Sequence, residues 1–305
     1  MLKVSVVICT HNPKKNYLDR CIQALLMQSL PLEEWEVVLV DNGSKIPVAQ
    51  TVDLSCHPHF SIISEPELGL TLARLRGIKE SKGSLIVFVD DDNILSNNYL
   101  EIALRIAEAY PFLGAWGGST LPEYEVSPPE WFNGCEIYIG VREIKRDSWS
   151  NFPAGLSSVP IGAGMIVRRT VAEFYADSVR VTSYRRKLGR VGNLLTGGED
   201  IDIAYSSCDL GLGKGVFKEL KLIHLIPASR LEEPYILKLA EGSAYSDYML
   251  RYYRDESDKM KKDKKNILDR LRLWRYLSSL SQTRRRIVLA EFRGIKKAQM
   301  ELANT

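Results

Sequence analysis

Short apolar runs alternate with amphipathic segments along the first hundred residues of the chain. Apolar, β-branched runs that are typical of buried strands occur at Val4–Cys9, Trp35–Val40, His59–Ser64 and Leu85–Val89. Apolar residues recur at helical spacing over Tyr17–Gln28 and Leu70–Ser81. The resulting βαβαβαβ order predicts a parallel sheet with helices packed on its faces.

The pattern becomes less regular after the first hundred residues. Five prolines interrupt residues 119–160, and long non-periodic segments in compact domains are usually functional loops. Around this segment the pattern predicts helices at Asn97–Tyr110 and Asp200–Leu210 and strands at Leu113–Trp116, Ile161–Val167 and Leu220–Ile226. From Pro234 onward the predicted elements are helices over Tyr235–Tyr253, Ile267–Leu280 and Arg284–Met300, with a charged break at Arg254–Lys265.

Composition places the chain among ordinary soluble globular proteins, with 45% hydrophobic and 26% charged residues in 305. The five cysteines are scattered and odd in number, and they contain no C-x-x-C pair. This usage favours reduced thiols in a cytosolic protein over a disulfide framework or a zinc site. We predict no signal peptide and no transmembrane helix, and therefore a cytoplasmic location.

The net charge of +3 conceals an asymmetry between the C-terminal segment and the rest. Residues 259–305 carry 14 Lys or Arg against 4 Asp or Glu, a balance of +10, so the remaining residues carry −7. Such an extension favours contact with an anionic partner, for which the candidates are a membrane surface, a lipid diphosphate and nucleic acid, and a solvated helical face is the alternative. Another alternative is that its helices pack on the body or on a second subunit. Its apolar positions at helical spacing are Ile267, Leu271, Trp274, Ile287, Val288, Phe292 and Ile295.

Three consecutive carboxylates, Asp90, Asp91 and Asp92, follow the predicted buried strand Leu85–Val89. They would repel one another there and are too costly to bury unpaired. Ligands of open α/β sheets bind at this end of the strands, and hard cations accept carboxylate and phosphate oxygens together. The triplet therefore predicts a divalent cation that holds a polyanionic substrate. The alternative is a solvated acidic turn.

Polar residues also follow the first two strands. Thr10, His11 and Asn12 end the first strand, and Asp41 ends the second, before the sequence Asn42-Gly43-Ser44. In a parallel sheet these residues share the edge that carries the aspartates, where Asp41 can accept a hydrogen bond from a nucleobase or a ribose hydroxyl. A plain turn with a helix cap at Ser44 is the alternative.

The first strand is followed by neither G-x-G-x-x-G nor a P-loop motif. A bound phosphate would therefore depend on a metal ion and on cationic side chains. Arg74 and Arg76 lie on the predicted helix that leads to the aspartates, and both cannot share its apolar stripe. At least one of them is therefore expected to face outward or into the crevice, where a guanidinium could pair with Asp90 or clamp a phosphate.

The chain contains four segments whose order and spacing resemble the nucleotide-sugar domain of inverting family 2 glycosyltransferases. They are V-S-V-V-I-C-T-H-N, E-V-V-L-V-D-N-G-S, G-L-T-L-A-R-L-R-G-I and L-I-V-F-V-D-D-D-N. The resemblance covers residues 1–230 and implies a GT-A-like, Rossmann-like α/β fold, with a mostly parallel sheet flanked by helices and a C-terminal helical extension. One departure is Leu75, where the family often has Asn, although Arg74 stays in register.

The resemblance also assigns roles to later residues. The family has an acidic pair that opens a helix near the acceptor, and Glu199 and Asp200 match it. Asp200 would then be the general base, and Glu199 would orient the acceptor or a neighbouring loop. Helix capping is the alternative for this pair. A histidine in the place of His224 can complete the cation's shell in similar transferases, although a histidine in an apolar strand is more often a core residue.

The same resemblance implies that Mn²⁺ or Mg²⁺ binds Asp92 and His224 and neutralises the leaving diphosphate. Asp90 would contact the ribose or support the metal ligands. On the acceptor side, Trp116 and Trp131 are candidates to stack on a sugar ring, with a place in the core as the alternative. The other residues expected around the donor are Thr10, His11, Asn12, Asp41, Arg74 and Asp91.

We therefore divide the chain into a nucleotide-sugar-binding half (residues 1–115), an acceptor-binding half of the same domain (116–233) and a basic helical extension (234–305). The predicted reaction is inverting transfer of a sugar from a nucleoside-diphosphate donor, expected to be a UDP-sugar, to a saccharide or lipid-linked hydroxyl. Peripheral contact with the inner face of a membrane and oligomerisation are further expectations, and no nucleic-acid partner is expected. The alternatives are a sugar nucleotidyltransferase, a phosphatase with a D-x-D motif, and a non-catalytic nucleotide-sugar-binding protein.

Overall fold

A computed structural model describes residues 2–153, 156–190, 195–254 and 277–304. Its strands are β1 (Val4–Thr10), β2 (Trp35–Asp41), β3 (Phe60–Ser64), β4 (Leu85–Asp90), β5 (Asn93–Leu95), β6 (Leu113–Tyr124), β7 (Ser148–Ser150), β8 (Ile166–Arg168) and β9 (Gly213–Ile226). Its α-helices are α1 (Lys15–Leu26), α2 (Leu70–Glu80), α3 (Tyr99–Ala109), α4 (Arg169–Val181), α5 (Glu199–Asp209), α6 (Glu233–Tyr253) and α7 (Gln282–Ala303).

The nine strands found in the described residues belong to one mixed sheet. Its order is β3-β2-β1-β4-β8-β6-β9-β5, and β7 also pairs with β9. The first four strands are parallel, as predicted, because β1, β2 and β4 are apolar on both faces and are covered by helices. One apolar core cluster includes Leu18 and Leu25 of α1, and a second includes Ala73 and Ile78 of α2. The GT-A-like α/β fold with a C-terminal helical extension is confirmed.

Several predicted elements differ from the structure, and strands β6 and β9 are longer than predicted. Between β2 and β3 the chain forms a 3-10 turn (Val48–Gln50) where the βαβ pattern predicted an α-helix. The predicted strand Ile161–Val167 begins only at Ile166, because the preceding residues form a turn in which Gly164 has φ +72°. A side chain at Gly164 would also collide with the Tyr99 hydroxyl, 2.5 Å from the expected Cβ position.

The chain reverses direction after β4, and this reversal creates the site described below. Strand β5 pairs antiparallel with the end of β9, in a register that sets Asn93 opposite His224. The Leu225 N–H donates to the Asp92 carbonyl oxygen at 2.9 Å. This register brings the acidic triplet next to a strand that lies about 130 residues later in the chain. The division at residue 115 falls within β6, and it stays an interpretation of function.

The C-terminal helix α7 packs on α6. Ile287, Ala290, Gly294 and Ala298 form its buried face, and a Cβ on Gly294 would lie 2.1 Å from the Glu241 carbonyl oxygen. The small residues thus let the two helices approach closely. Val288, Phe292 and Ile295 are half-buried, whereas Ile267, Leu271 and Trp274 lie outside the described residues.

Three basic side chains of α7 bind residues that precede it in the fold. Arg286 pairs with Glu233 at 2.8 Å and Arg293 pairs with Glu241 at 3.1 Å. Arg284 donates to the carbonyl oxygens of Asn133 and Gly134. For residues 277–304, packing on the body is therefore favoured over membrane contact, which stays a prediction. None of the helices in the described ranges has the length and hydropathy needed to cross a bilayer.

A buried carboxylate joins the end of α6 to α5. The Asp202 side chain is fully buried and lies 2.9 Å from Arg254 Nη2 and 3.5 Å from Arg185 Nε. Burial raises the pKa of Asp202, and the two guanidinium groups act against this shift. Arg254 also pairs with Asp209 at 3.0 Å, so it ties together both ends of α5.

We predict that Arg254→Met destabilises the protein by about 3 kcal/mol, because it leaves one partner of a buried ion pair uncompensated. The matched control is Arg251→Met in the same helix. Arg251 pairs with the exposed Asp247 at 3.1 Å, and an exposed pair at this spacing contributes less than about 0.5 kcal/mol. Urea unfolding followed by circular dichroism measures both changes. Equal losses in the two variants would contradict a structural role for the Asp202 cluster.

Candidate active site

A cavity of about 690 Å³ opens where β1 and β4 end. Its volume lies in the usual range for small-molecule sites, about 300–1,000 Å³. The strand ends supply Thr10, His11 and the three aspartates, and the first turn of α5 supplies Glu199 and Asp200. The helical extension also takes part, because Leu239, Ser243, Asp247 and Leu250 of α6 line the cavity.

The three aspartates occupy different environments. Asp90 ends β4 with a side chain that is 38% exposed and lies 3.8 Å from Arg74 Nη2. Asp91 is held by the buried Thr10, whose hydroxyl donates to its Oδ2. Burial, followed by the charge of Asp92, raises the pKa of the Asp91 carboxyl. The repulsion between neighbouring aspartates that the sequence predicts is therefore present in the fold.

Asp92, His224 and Arg230 form a compact group. His224 Nε2 lies 3.3 Å from Asp92 Oδ2, and Arg230 Nη2 lies 3.0 Å from the same oxygen. Asp92 is only 5% exposed. Burial acts to raise the pKa of Asp92, but the neighbouring basic groups outweigh it and hold this pKa below its usual value.

Asp92 and His224 fit a divalent cation as an open, two-residue site. A carboxylate oxygen and an imidazole nitrogen converge within 3.3 Å, and Mg²⁺-type sites commonly take few protein ligands and complete their shell with phosphate oxygens and water. The described residues contain no group of three Asp, Glu, His or Cys side chains arranged to hold a metal by themselves. A cation here would therefore need ligands from a bound phosphate or from water.

Arg74 crosses from the donor side to the acceptor side of the cavity. It is 2% exposed, and its Nη1 lies 3.1 Å from Glu199 Oε1. Burial raises the pKa of Glu199, and the Arg74 charge acts against this shift. Glu199 thus binds a residue of the donor side. Arg76, by contrast, faces outward and pairs with Glu80.

Asp200, like Glu199, lines the cavity. Its Oδ2 accepts from the Gly162 N–H at 2.9 Å, and its Oδ1 accepts from the Ile201 N–H at 2.8 Å. Each carboxylate oxygen can accept a second hydrogen bond. The two backbone amides therefore fix the carboxylate while leaving it able to accept a proton.

The predicted donor residues at the ends of β1 and β2 are not all directed into the cavity. His11 lines it, but its Nδ1–H donates to the Asn42 carbonyl oxygen at 2.7 Å. Asn12 and Asp41 are outside the cavity wall. The Asp41 carboxylate accepts from the N–H groups of Ser44 and Val48, so it holds the loop after β2.

The two tryptophans predicted on the acceptor side do not line the cavity. Trp116 is fully buried in the core, because its strand β6 lies inside the sheet between β8 and β9. It cannot stack on a sugar ring in this fold, and that prediction is corrected. Trp131 packs against Phe132 with ring centroids 5.8 Å apart and is also absent from the cavity wall.

Several cavity residues were not singled out from the sequence. Arg230 lies in a 3-10 turn (Ala228–Leu231) after β9, and a basic residue six positions after His224 was the available signal. Tyr138 comes from the irregular segment and donates from its hydroxyl to Glu291 of α7 at 2.6 Å. Cys9 also lines the cavity, but burial raises the pKa of its thiol to about 12, so it is no nucleophile near neutral pH.

Comparison with known proteins gives a partial match to curated relatives. Glycosyltransferase AglE from Haloferax volcanii is 31% identical over 101 residues, which are 32% of this chain and 33% of that protein. The chain spans between 30% and 46% of the length of the first three curated relatives that it matches.

Two solved structures share the fold over nearly the whole chain. The mannosyltransferase PcManGT from Pyrobaculum calidifontis, in complex with GDP-Man and Mn²⁺, has a TM-score of 0.58 and 16% identity, covering 99% of this chain and 74% of that one. S. aureus TarS 1–349 in complex with UDP has a TM-score of 0.53 and 15% identity, covering 98% and 89%. At these identities the likeness concerns the fold alone.

The family profile of glycosyl transferase family 2 matches residues 5–195. That region contains β1 to β4, the aspartate triplet and Arg74, and it ends four residues before Glu199. On this match, which covers more than half of its length, the chain belongs to glycosyl transferase family 2.

Proposed function

We propose that this protein transfers a sugar from a nucleoside-diphosphate donor to an acceptor hydroxyl with inversion at the anomeric carbon. The observation that carries the proposal is one cavity that holds Asp92 and His224 on one side and Asp200 on the other. The first pair has the chemistry to anchor a cation–diphosphate, and Asp200 has the chemistry of a general base. Family membership supports the reaction class.

The donor is proposed to be a UDP-sugar. Two proteins of this fold support a nucleoside-diphosphate donor, because one is in complex with UDP and the other with GDP-Man and Mn²⁺, and the first of them supports uridine as the base. Among the donor residues, Thr10 holds Asp91, and Arg74 holds Asp90 at the cavity floor. A Mn²⁺ or Mg²⁺ ion bound by Asp92 and His224 would neutralise charge on the departing diphosphate.

The proposed reaction is a single displacement. The acceptor oxygen forms a bond to the anomeric carbon while the bond from that carbon to the diphosphate oxygen breaks, and the leaving group keeps the electron pair. The acceptor proton passes to an oxygen of Asp200. The amides of Gly162 and Ile201 hold that carboxylate in place, and Arg74 holds Glu199 in an ion pair.

The acceptor is proposed to be a saccharide or a lipid-linked hydroxyl. The cavity wall also contains Ile137, which is 62% exposed, and Tyr138 and Leu239. This mixture of apolar and polar groups suits a sugar face or a lipid-linked sugar. A cytoplasmic location, peripheral membrane contact and oligomerisation stay predictions.

The alternative functions are supported to different degrees. Family membership gives no support to a nucleotidyltransferase or a phosphatase. A non-catalytic nucleotide-sugar-binding protein would bind the donor with the same cavity, so it differs from the proposal only in turnover. Measuring binding and hydrolysis on the same preparations separates these two functions.

We predict that Asp92→Asn abolishes the effect of Mn²⁺ on UDP binding. The substitution keeps the size of the side chain and removes the charge that a cation would bind. Isothermal titration calorimetry with UDP, in the presence and absence of Mn²⁺, measures the effect. Asp19→Asn in the exposed Lys15–Asp19 pair is the control. If Asp92→Asn keeps the metal dependence, Asp92 is not a metal ligand.

Asp200→Asn should act on turnover and leave donor binding unchanged. We predict a fall in kcat of at least ~10², the usual contribution of a general base, and a wild-type Kd for UDP. Nucleotide sugars are first screened by thermal protection, and hydrolysis of the best donor is then measured. Asp209→Asn, at the other end of α5 and outside the cavity, is the control. Turnover within a few-fold of wild type would refute the assignment of Asp200.

A further inference from the structure

Arg230 occupies an unusual position in the cavity. It lies in the turn Ala228–Leu231, which follows the end of β9 and Pro227. Its side chain is 23% exposed, whereas Asp92 and His224 are 7% exposed. The guanidinium thus lies on the open side of two nearly buried groups.

The guanidinium bridges the two proposed metal ligands. Its Nη2 lies 3.0 Å from Asp92 Oδ2, and its Nη1 lies 2.9 Å from His224 Nε2. A guanidinium has donors but no acceptor, so it binds lone pairs of the carboxylate and of the imidazole. Those are the lone pairs that a divalent cation would use. Arg230 and a cation at this place therefore exclude each other.

The contact with Arg230 also compensates the buried negative charge of Asp92. A carboxylate as buried as Asp92 is costly unless a positive charge or several donors compensate it. Arg230 supplies that charge from within the chain, and Asn93 Nδ2 donates to the other oxygen at 3.0 Å. The site therefore does not need a metal to be stable.

We infer that Arg230 is an internal counter-cation that competes with the divalent metal for Asp92 and His224. This inference rests on the metal site of the proposed function. A metal ion that binds without a nucleotide must displace Arg230 from Asp92 and His224, which costs a charge-assisted contact. A nucleoside diphosphate supplies further ligands to the metal, and these offset the cost of displacing Arg230. Metal and nucleotide then strengthen each other's binding, and the coupling is reciprocal.

The experiment measures Mn²⁺ binding by electron paramagnetic resonance, which counts free Mn²⁺, with and without UDP. Without UDP, we expect Arg230→Gln to bind Mn²⁺ about tenfold or more tightly than wild type, because a charge-assisted competitor is removed. UDP should then enhance Mn²⁺ binding less in this variant than in wild type. Thermal unfolding checks that each variant is folded.

Two controls separate the contact from net charge. Arg20→Gln removes one positive charge from an exposed pair with Glu123, on the strand beside β9, and we expect wild-type Mn²⁺ binding. Arg230→Lys keeps the charge but cannot bridge both groups with a planar fork, so we expect Mn²⁺ binding tighter than wild type. Wild-type binding in Arg230→Lys, or tightening in Arg20→Gln, would overturn the inference in favour of a general charge effect.

The remaining outcomes distinguish this inference from the proposed function. If wild type binds Mn²⁺ with UDP and Arg230→Gln binds it no more tightly without UDP, the competition is refuted and the metal site stands. If no form of the protein binds Mn²⁺, even with UDP, the proposed metal site is refuted and the inference fails with it.

Discussion

The buried ion pair between Arg74 and Glu199 connects the two sides of the cavity. Arg74 belongs to α2, on the donor side, and Glu199 opens α5, on the acceptor side. Both side chains are nearly excluded from water, so neither can lose the other without leaving a buried charge uncompensated. The guanidinium of Arg74 also packs over the Phe88 ring, with its Cζ atom 5.2 Å from the ring centroid. The pair therefore fixes where α5 begins relative to β4.

This constraint extends to Asp200. A Cβ on Gly162 would lie 2.4 Å from Arg74 Nη2, so the close approach requires glycine. The amide of that glycine donates to Asp200. Arg74 thus sets the position of Glu199 directly and that of Asp200 through Gly162. The C-terminal helices add a second support, because Tyr138, on the cavity wall, hydrogen-bonds to Glu291 of α7.

Much of the fold and the centre of the site follow from local signals in the sequence. The strand ending in Asp90, the acidic pair and His224 are each marked by a few neighbouring residues, and a parallel sheet predicts that strand ends share one edge. Trp116 and Arg230 depend instead on long-range pairing. A tryptophan beside two glycines gives no sign of whether its strand is central, and the place of Arg230 depends on the β5–β9 register. The turn at Gly164 is equally hard to predict, because its contact is with Tyr99, which lies far away in the sequence and donates its hydroxyl to the Gly164 carbonyl oxygen.

The two arginines in the cavity differ in what their surroundings allow. The Arg74 side chain is 3% exposed and packs over the Phe88 ring, and moving it would leave the nearly buried Glu199 carboxylate without its counter-charge. Arg230 is 23% exposed on a short turn, so water can solvate its guanidinium when the contact with Asp92 breaks. The free-energy cost of breaking the contact between Arg230 and Asp92 is therefore lower than that of breaking the pair between Arg74 and Glu199, although both are charge-assisted hydrogen bonds. Exposure, more than bond length, separates the arginine that holds the fold from the arginine that can exchange with a cation.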